Sequence, residues 1–236
     1  MQVYPNGKLI RVGMALGCQA VDEHNSVLPL INDYHGNILL QGTSELIQEN
    51  YMLNETIRSM TKEQLLELME IDAKDSVALD GVWFQSVERK FGMDEAMFHD
   101  EEAWKRFSPV EARRLKKFLG LGEHPGLEGL AKALPLHIVD RANKCEVIEE
   151  EGRVINRVID CRVQSARSRK GMDFHPCKYA AIYEYSCFAS AIDDRIECRC
   201  LSCYPDVTDE TCSCSWEFTL KDDSEENSES PGSESN

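Results

Sequence analysis

"KCEVIEEEGRVINRVIDCRV", residues 144–163, decides the fold. Its residues alternate in the strand manner on either side of Glu151-Gly152, a pair suited to a tight turn. The stretch therefore reads as a β-hairpin ending near Cys161. Everything upstream with a clear pattern has the helical period instead, so the chain changes character near Asn143.

Upstream, "TKEQLLELMEIDAKDSVALDGVWFQSVERKFG" (61–92) predicts a helix. Thr61 is its N-cap, Gln64 completes a capping box three positions on, and Gly92 is its C-cap. Its apolar row runs Leu65, Met69, Leu79, Trp83 and Val87, interrupted by Asp72 and Ser76. "MDEAMFHDEEAWKRF" (93–107) reads as a second helix. "SPVEARRLKKFLGLG" (108–122) reads as a third, with Ser108 as N-cap, Pro109 at the first helical position and Glu111 two further on. "GLEGLAKALPLHIVDRANK" (126–144) makes a fourth, kinked at Pro135. Short links between four helices imply a helical layer.

Downstream of the hairpin, "QSARSRKGMDFHP" (164–176) reads as a loop. "CKYAAIYEYSCFASAID" (177–193) predicts a helix with Ala181, Tyr185 and Phe188 on one face, and "RIECRCLSC" with "TCSCSWEFTL" forms a closing hairpin. The expected class is α+β: a helical layer followed by a small antiparallel sheet with one packed helix and a cysteine-rich closing hairpin. Four regions result: an unassigned N-terminal extension (1–51), a helical region (52–142), a cysteine-rich α+β region (143–221) and a tail (222–236). In the extension, "QVYPNGKLIRVG" and "YHGNILLQG" look like short strands or loops around Pro and Gly turns. The tail holds six acids and no Lys or Arg, and is expected to be disordered.

The 236 residues carry 42 acids against 26 Lys and Arg, a formal charge of −16. Such a balance argues against a general nucleic-acid binder, which neutralises phosphates with excess cations, and against an anionic membrane surface. No run of about 18 apolar residues predicts a membrane span. The early apolar run "VGMALGCQAV" is broken by glycines and no clear cleavage site follows, so the expected location is cytoplasmic. In a reducing compartment, ten cysteines point to metal binding or redox work more than to persistent disulfides.

Five of those cysteines fall in "CRCLSCYPDVTDETCSC" (198–214). Cys200 and Cys203 have the C-x2-C spacing that supplies two ligands to a tetrahedral ion. Cys212 and Cys214 have C-x-C spacing, which strand alternation directs to one face. Cys161 and Cys177 flank the basic segment and offer further ligands. Zinc is expected ahead of an iron–sulfur cluster; a redox dithiol at Cys200 and Cys203 and free buried thiols are the competing readings.

Three other groups are candidates. Arg162, Arg167 and Arg169 sit with Lys170 in a segment without acids; they read either as an anion-binding set or as a solvated loop paired with the chain's own acids. Asp72 and Asp80, two helical turns apart, read as a general base or as ordinary capping and pairing residues. His175, two residues before Cys177, reads as a metal ligand, a base to a thiol, or a plain loop histidine. No phosphate-binding glycine loop, zinc-protease motif or triad context occurs, so catalytic residues are unassigned.

The order of a cysteine, a helix, a strand with a ligand pair and a hairpin back to a final cysteine resembles the 4-vinyl-reductase domain superfamily. That superfamily includes sensor domains of transcriptional activators and relatives of L-2-amino-thiazoline-4-carboxylate hydrolase. "ALDGVWFQSVERKFGMDEAM", "CRVQSARSRKG", "CKYAAIYEYSCFASAIDDRI" and "CSWEFTL" resemble more closely still an uncharacterised family of cytosolic prokaryotic proteins, over about residues 60–220. The sensor-domain resemblance implies a structural zinc on Cys177, Cys200, Cys203 and Cys214, with Cys212 a rival for the fourth position and Cys161 an alternative ligand or reactive thiol. Cys187 and Cys198 do not belong to the pattern. The function it implies is a zinc-stabilised, sensor-like module binding a small anionic molecule. The hydrolase relatives imply instead cleavage of cyclic or amide C–N bonds, with Cys161 or a metal-bound water as nucleophile, and a thiol redox protein is a third expectation. The expected partners are a small-molecule ligand and, as one option, a second copy in a homodimer, with no nucleic acid and no membrane.

Overall fold

The computed structural model describes residues 55–221 and, nearer the N-terminus, the backbone of three short antiparallel strand pairs. These are Gln2–Val3 with Leu9–Ile10, Ala20–Val21 with Val27–Leu28, and Leu30–Asn32 with Ile38–Leu40. The expected acidic tail lies outside the described residues. The chain forms two units, Met1–Leu65 and Leu66–Asn236. In the first, the helical turn Glu55–Arg58 precedes the capping box read from the sequence. The Thr61 amide donates to Gln64 Oε1 at 2.9 Å and the Gln64 amide to Thr61 Oγ1 at 3.2 Å.

Helix α1 is Lys62–Phe91 and helix α2 is Met93–Phe118. Gly92 between them has φ +95°, a left-handed conformation that glycine adopts without a Cβ clash. In α1 the apolar row is exposed at Met69, Leu79 and Trp83, whereas Ala73 and Phe84 are buried. The helix has more apolar residues than one face accommodates, and the buried face is offset from the row. The expected third helix is not separate, because α2 runs through Ser108 and Pro109. An interior proline removes one backbone hydrogen bond and costs about 3 kcal/mol. Burial of Glu111 and Ala112 just beyond it, with α2 packed along a later helix, favours continuity.

The fourth expected helix divides at Pro135. α3 (Gly126–Ala133) gives way to a 3-10 turn at Leu134–Leu136 and then to α4 (Ile138–Ala142). The hairpin follows as β1 (Lys144–Glu150) and β2 (Arg153–Asp160), joined by Glu151 and Gly152, with Gly152 at φ +78°. The segment read as a loop begins with a helix, α5 (Arg162–Arg169). The Ser165 amide bonds the Cys161 carbonyl, and Arg167 is buried against its partners, so tertiary contacts order a segment with little apolar patterning.

The expected helix 177–193 is present as α6 (Lys178–Ile192), and the closing hairpin as β3 (Ile196–Cys203) and β4 (Cys214–Leu220). The sheet is antiparallel with strand order β1-β2-β4-β3. α6 covers one face, and α2 packs along α6. The larger of two core clusters joins both halves: Ala112, Leu130 and Leu134 from the helices, Tyr185 and Phe188 from α6, Val154, Trp216 and Phe218 from the sheet; the smaller one packs Phe84, Ala96, Met97 and Ala180. Tyr185 stacks on Trp216 with ring centres 5.1 Å apart.

Candidate functional site

Strand alternation alone would put Cys200 and Cys203, three residues apart, on opposite faces of β3. A bulge corrects this. Ser215 pairs with Ser202 and Trp216 with Cys200, which leaves Leu201 as the extra residue. Cys200 is thereby brought to the face of Trp216, and Cys203 lies directly opposite Cys214 on that same helix-covered face. Cys177, in the N-cap position of α6, completes the group, its sulfur 3.6 Å from that of Cys203. Cys203 is fully buried and central, its thiol interacting with those of Cys177, Cys200 and Cys214.

Hydrogen bonding from Cys203, aided by His175 and Gln164 and opposed by burial, pulls the Cys177 thiol down to about 5. Cys200 is lowered too, first by Cys203, whereas Cys203, the shared donor, is raised. Gln164 of α5 fixes this corner. Its Nε2 donates to the His175 carbonyl at 2.7 Å and to Cys177 Sγ at 3.3 Å, and its Oε1 accepts from the His175 amide at 3.0 Å.

The sulfur-rich wall closes one side of a cavity of about 270 Å³. Cys161, Cys177, Cys203 and Cys214 line it, with Phe84, Trp104 and Val158 among its apolar walls and Asp80, Asp100, Glu184, His175 and Arg167 among its polar ones. His175 is 8% exposed. Its Nε2 lies 3.2 Å from Asp100 Oδ2, within ion-pair reach but off hydrogen-bond alignment, and has no hydrogen-bond partner. Burial would lower this imidazole, but Asp100 and Cys177 outweigh it and raise it to about 9. Asp80 is exposed at the mouth, where surrounding protein and then Asp100 push its carboxyl upward against solvent screening.

Behind the cavity, His137 is fully buried between two acids. Its Nδ1 is 2.7 Å from Glu111 Oε2 and its Nε2 3.0 Å from Glu184 Oε1. Glu111 also accepts the Ile138 amide at the start of α4, 2.7 Å away.

The other sequence candidates are dispersed. Arg167 is committed to Glu88 through two bonds of 2.8 and 2.7 Å, while Arg162 is exposed and donates through Nε to the Ala142 carbonyl. Arg169 is exposed, so the three arginines do not converge. Asp72 is exposed and does not line the cavity, unlike Asp80. Cys212 is apart from the sulfur group, 3.5 Å from Asp209 Oδ2. Burial pushes the Cys161 thiol up to about 12. The nine described cysteines are all free thiols. Among the described residues, one group of three metal-ligating side chains has all donor atoms within 4.8 Å of one another: exposed His124 and Asp194 with buried Asp193. The four sulfurs are more widely spread around Cys203. Asp100 escapes a sequence reading as one acid among several on α2, where only the placement of Trp104 one turn later hints at an inward face; Glu184 is the lone acid on the otherwise largely apolar α6, a signal that the sequence did carry.

The model of the Family of unknown function (DUF6125) matches residues 58–220, and the chain belongs to that family. No curated protein matches it. Among the described residues no helix is long and apolar enough to cross a membrane.

Proposed function

We propose that this protein binds a small organic molecule in the cavity between α1, α2, α6 and the sheet, and that Cys177, Cys200, Cys203 and Cys214 hold a zinc ion in the cavity wall. The observation that carries the reading is that Cys177, Cys203 and Cys214 line the same cavity as His175, whose Nε2 is within ion-pair reach of Asp100 but makes no hydrogen bond. A buried polar atom left unpaired costs about 1–3 kcal/mol, which an occupant of the cavity would relieve.

Zinc suits the donor set. Thiolates about 2.3 Å from a tetrahedral ion lie about 3.8 Å from each other, close to the 3.6 Å between Cys177 and Cys203. Drawing the Cys200 and Cys214 sulfurs in around Cys203 would close the set, and a dication would replace the shared protons. Bound zinc would fix the start of α6 to the closing hairpin. The test is elemental mass spectrometry on protein purified without oxygen, with an X-ray absorption spectrum of the metal. One zinc with four sulfurs sustains the reading, and protein without metal removes the zinc from it.

A second reading, hydrolysis of a cyclic or amide C–N bond, is favoured by one observation. Asp100, His175 and Cys177 stand in the order acid, imidazole, thiol, and that thiol is lowered to about 5. In that reading Cys177 replaces Cys161 as the nucleophile, because Cys161 is pushed up to about 12. Iodoacetamide labelling at pH 6 separates the two. Protection of Cys177 until a chelator is added supports the metal, and immediate labelling supports the nucleophile.

A further inference from the structure

We infer that the ligand of this cavity is a small organic cation, a primary amine or amidine carried on a flat apolar body, rather than an anion. The inference deepens the small-molecule-binding reading and rests on it.

Carboxylates from three helices line the cavity: Asp80 from α1, Asp100 from α2 and Glu184 from α6. Two cations line it as well, and both are occupied. Arg167 is buried with Nη1 and Nη2 on Glu88 and Nε on the Asp173 carbonyl, so its charge is answered outside the cavity. His175 faces Asp100. Glu184 shares His137 with Glu111, an arrangement of two acids around one imidazole. Asp80 has no ion pair among the described residues and stands at the mouth. The polar part of the wall therefore has more negative than positive groups, and a zinc held by four thiolates would add two further negative charges.

Low-dielectric walls concentrate such a field. An anion entering past Asp80 meets repulsion, and a cation is drawn in. Phe84, Trp104 and Phe107 line the same space, and aromatic rings attract cations as well as apolar surface; the Arg167 guanidinium already lies 6.0 Å from the centre of the Phe84 ring. A cavity of about 270 Å³ lies just below the roughly 300–1,000 Å³ of pockets for drug-sized ligands, which suits a ligand of about one ring.

Three probes of one shape and different charge test this: 2-phenylethylamine, 2-phenylethanol and phenylacetate, titrated calorimetrically into the full chain with its native metal content. The amine is expected to bind at least tenfold more tightly than the acid, with the alcohol between them. Asp80→Asn, at the exposed mouth where folding is not at stake, is expected to weaken the amine several-fold and leave the alcohol unchanged; Asp100→Asn serves as a second variant. Equal or tighter binding of phenylacetate overturns the cation while leaving a small-molecule site in place. Binding of the alcohol alone does the same. Failure of all three probes overturns the cation and the small-molecule reading together.

Discussion

Cys203 has no exposure, a cross-strand partner in Cys214 and thiol neighbours in Cys200 of its own strand and Cys177 at the start of α6. Cys212, two residues before Cys214, is turned instead towards Asp209. The two cysteines therefore make a matched pair of substitutions. Cys203→Ser is expected to lower zinc content and melting temperature together, since structural zinc contributes roughly 10 kcal/mol in small peptides. Cys212→Ser is expected to leave zinc content unchanged. Equal metal content in both variants would remove Cys203 from the site. The C-x2-C spacing of Cys200 and Cys203 was legible as a ligand pair, but the means of aiming both at one face was not. It depends on Leu201 lying opposite no residue of β4, and a bulge is settled by pairing across the sheet rather than by the local residues.

At the scale of elements, the capping box at Thr61, the stop at Gly92 and the turn at Gly152 are local signals with local causes, and they coincide with the observed boundaries. Pro109 is a local signal that tertiary packing overrides, and α5 has only weak local patterning, so both were misread. The junction of α2, α4 and α6 is invisible to local reading because its acids and imidazole are 26 and 47 residues apart. That junction sets a pH dependence. Burial alone would lower His137, but Glu111 and Glu184 hold it up at about 10, above its unfolded value of 6.5. The native state then keeps a proton that the unfolded chain has lost. Its stabilisation is complete below pH 6.5 and declines as pH rises towards 10, by at most about 1.4 kcal/mol per pH unit. Glu184 works in the same direction at lower pH, because burial pushes its folded carboxyl up to about 7 from 4.5. In urea denaturation at pH 6.5, 8 and 9.5, the stability gap between the native chain and His137→Gln is expected to shrink as pH rises. A gap independent of pH would mean that His137 is neutral in the folded protein.

For the whole molecule, the α+β class was legible because the apolar period changes from 3.6 to 2 at Asn143, and the period reports which face each element buries. The cavity was not legible, since its walls come from α1, α2, α4, α5, α6, the sheet and the His175 segment, and no single stretch supplies most of the lining. Nor did the change of period at Asn143 reveal that one core spans it. Trp216 is the test of that unity. It is fully buried, stacked on Tyr185, and belongs to the same cluster as Ala112, Leu130 and Leu134 from the helical half. Trp216→Ala removes about 150–250 Å² of buried aromatic surface and is expected to destabilise by about 3–5 kcal/mol. With a shared core, the loss falls on both halves: amides of α2 and of β4 lose hydrogen-exchange protection together, in one cooperative unfolding transition. If α2 kept its native protection while β4 lost it, the regions on either side of Asn143 would be separately stable, and the cavity between them would be an interface able to open without unfolding either side.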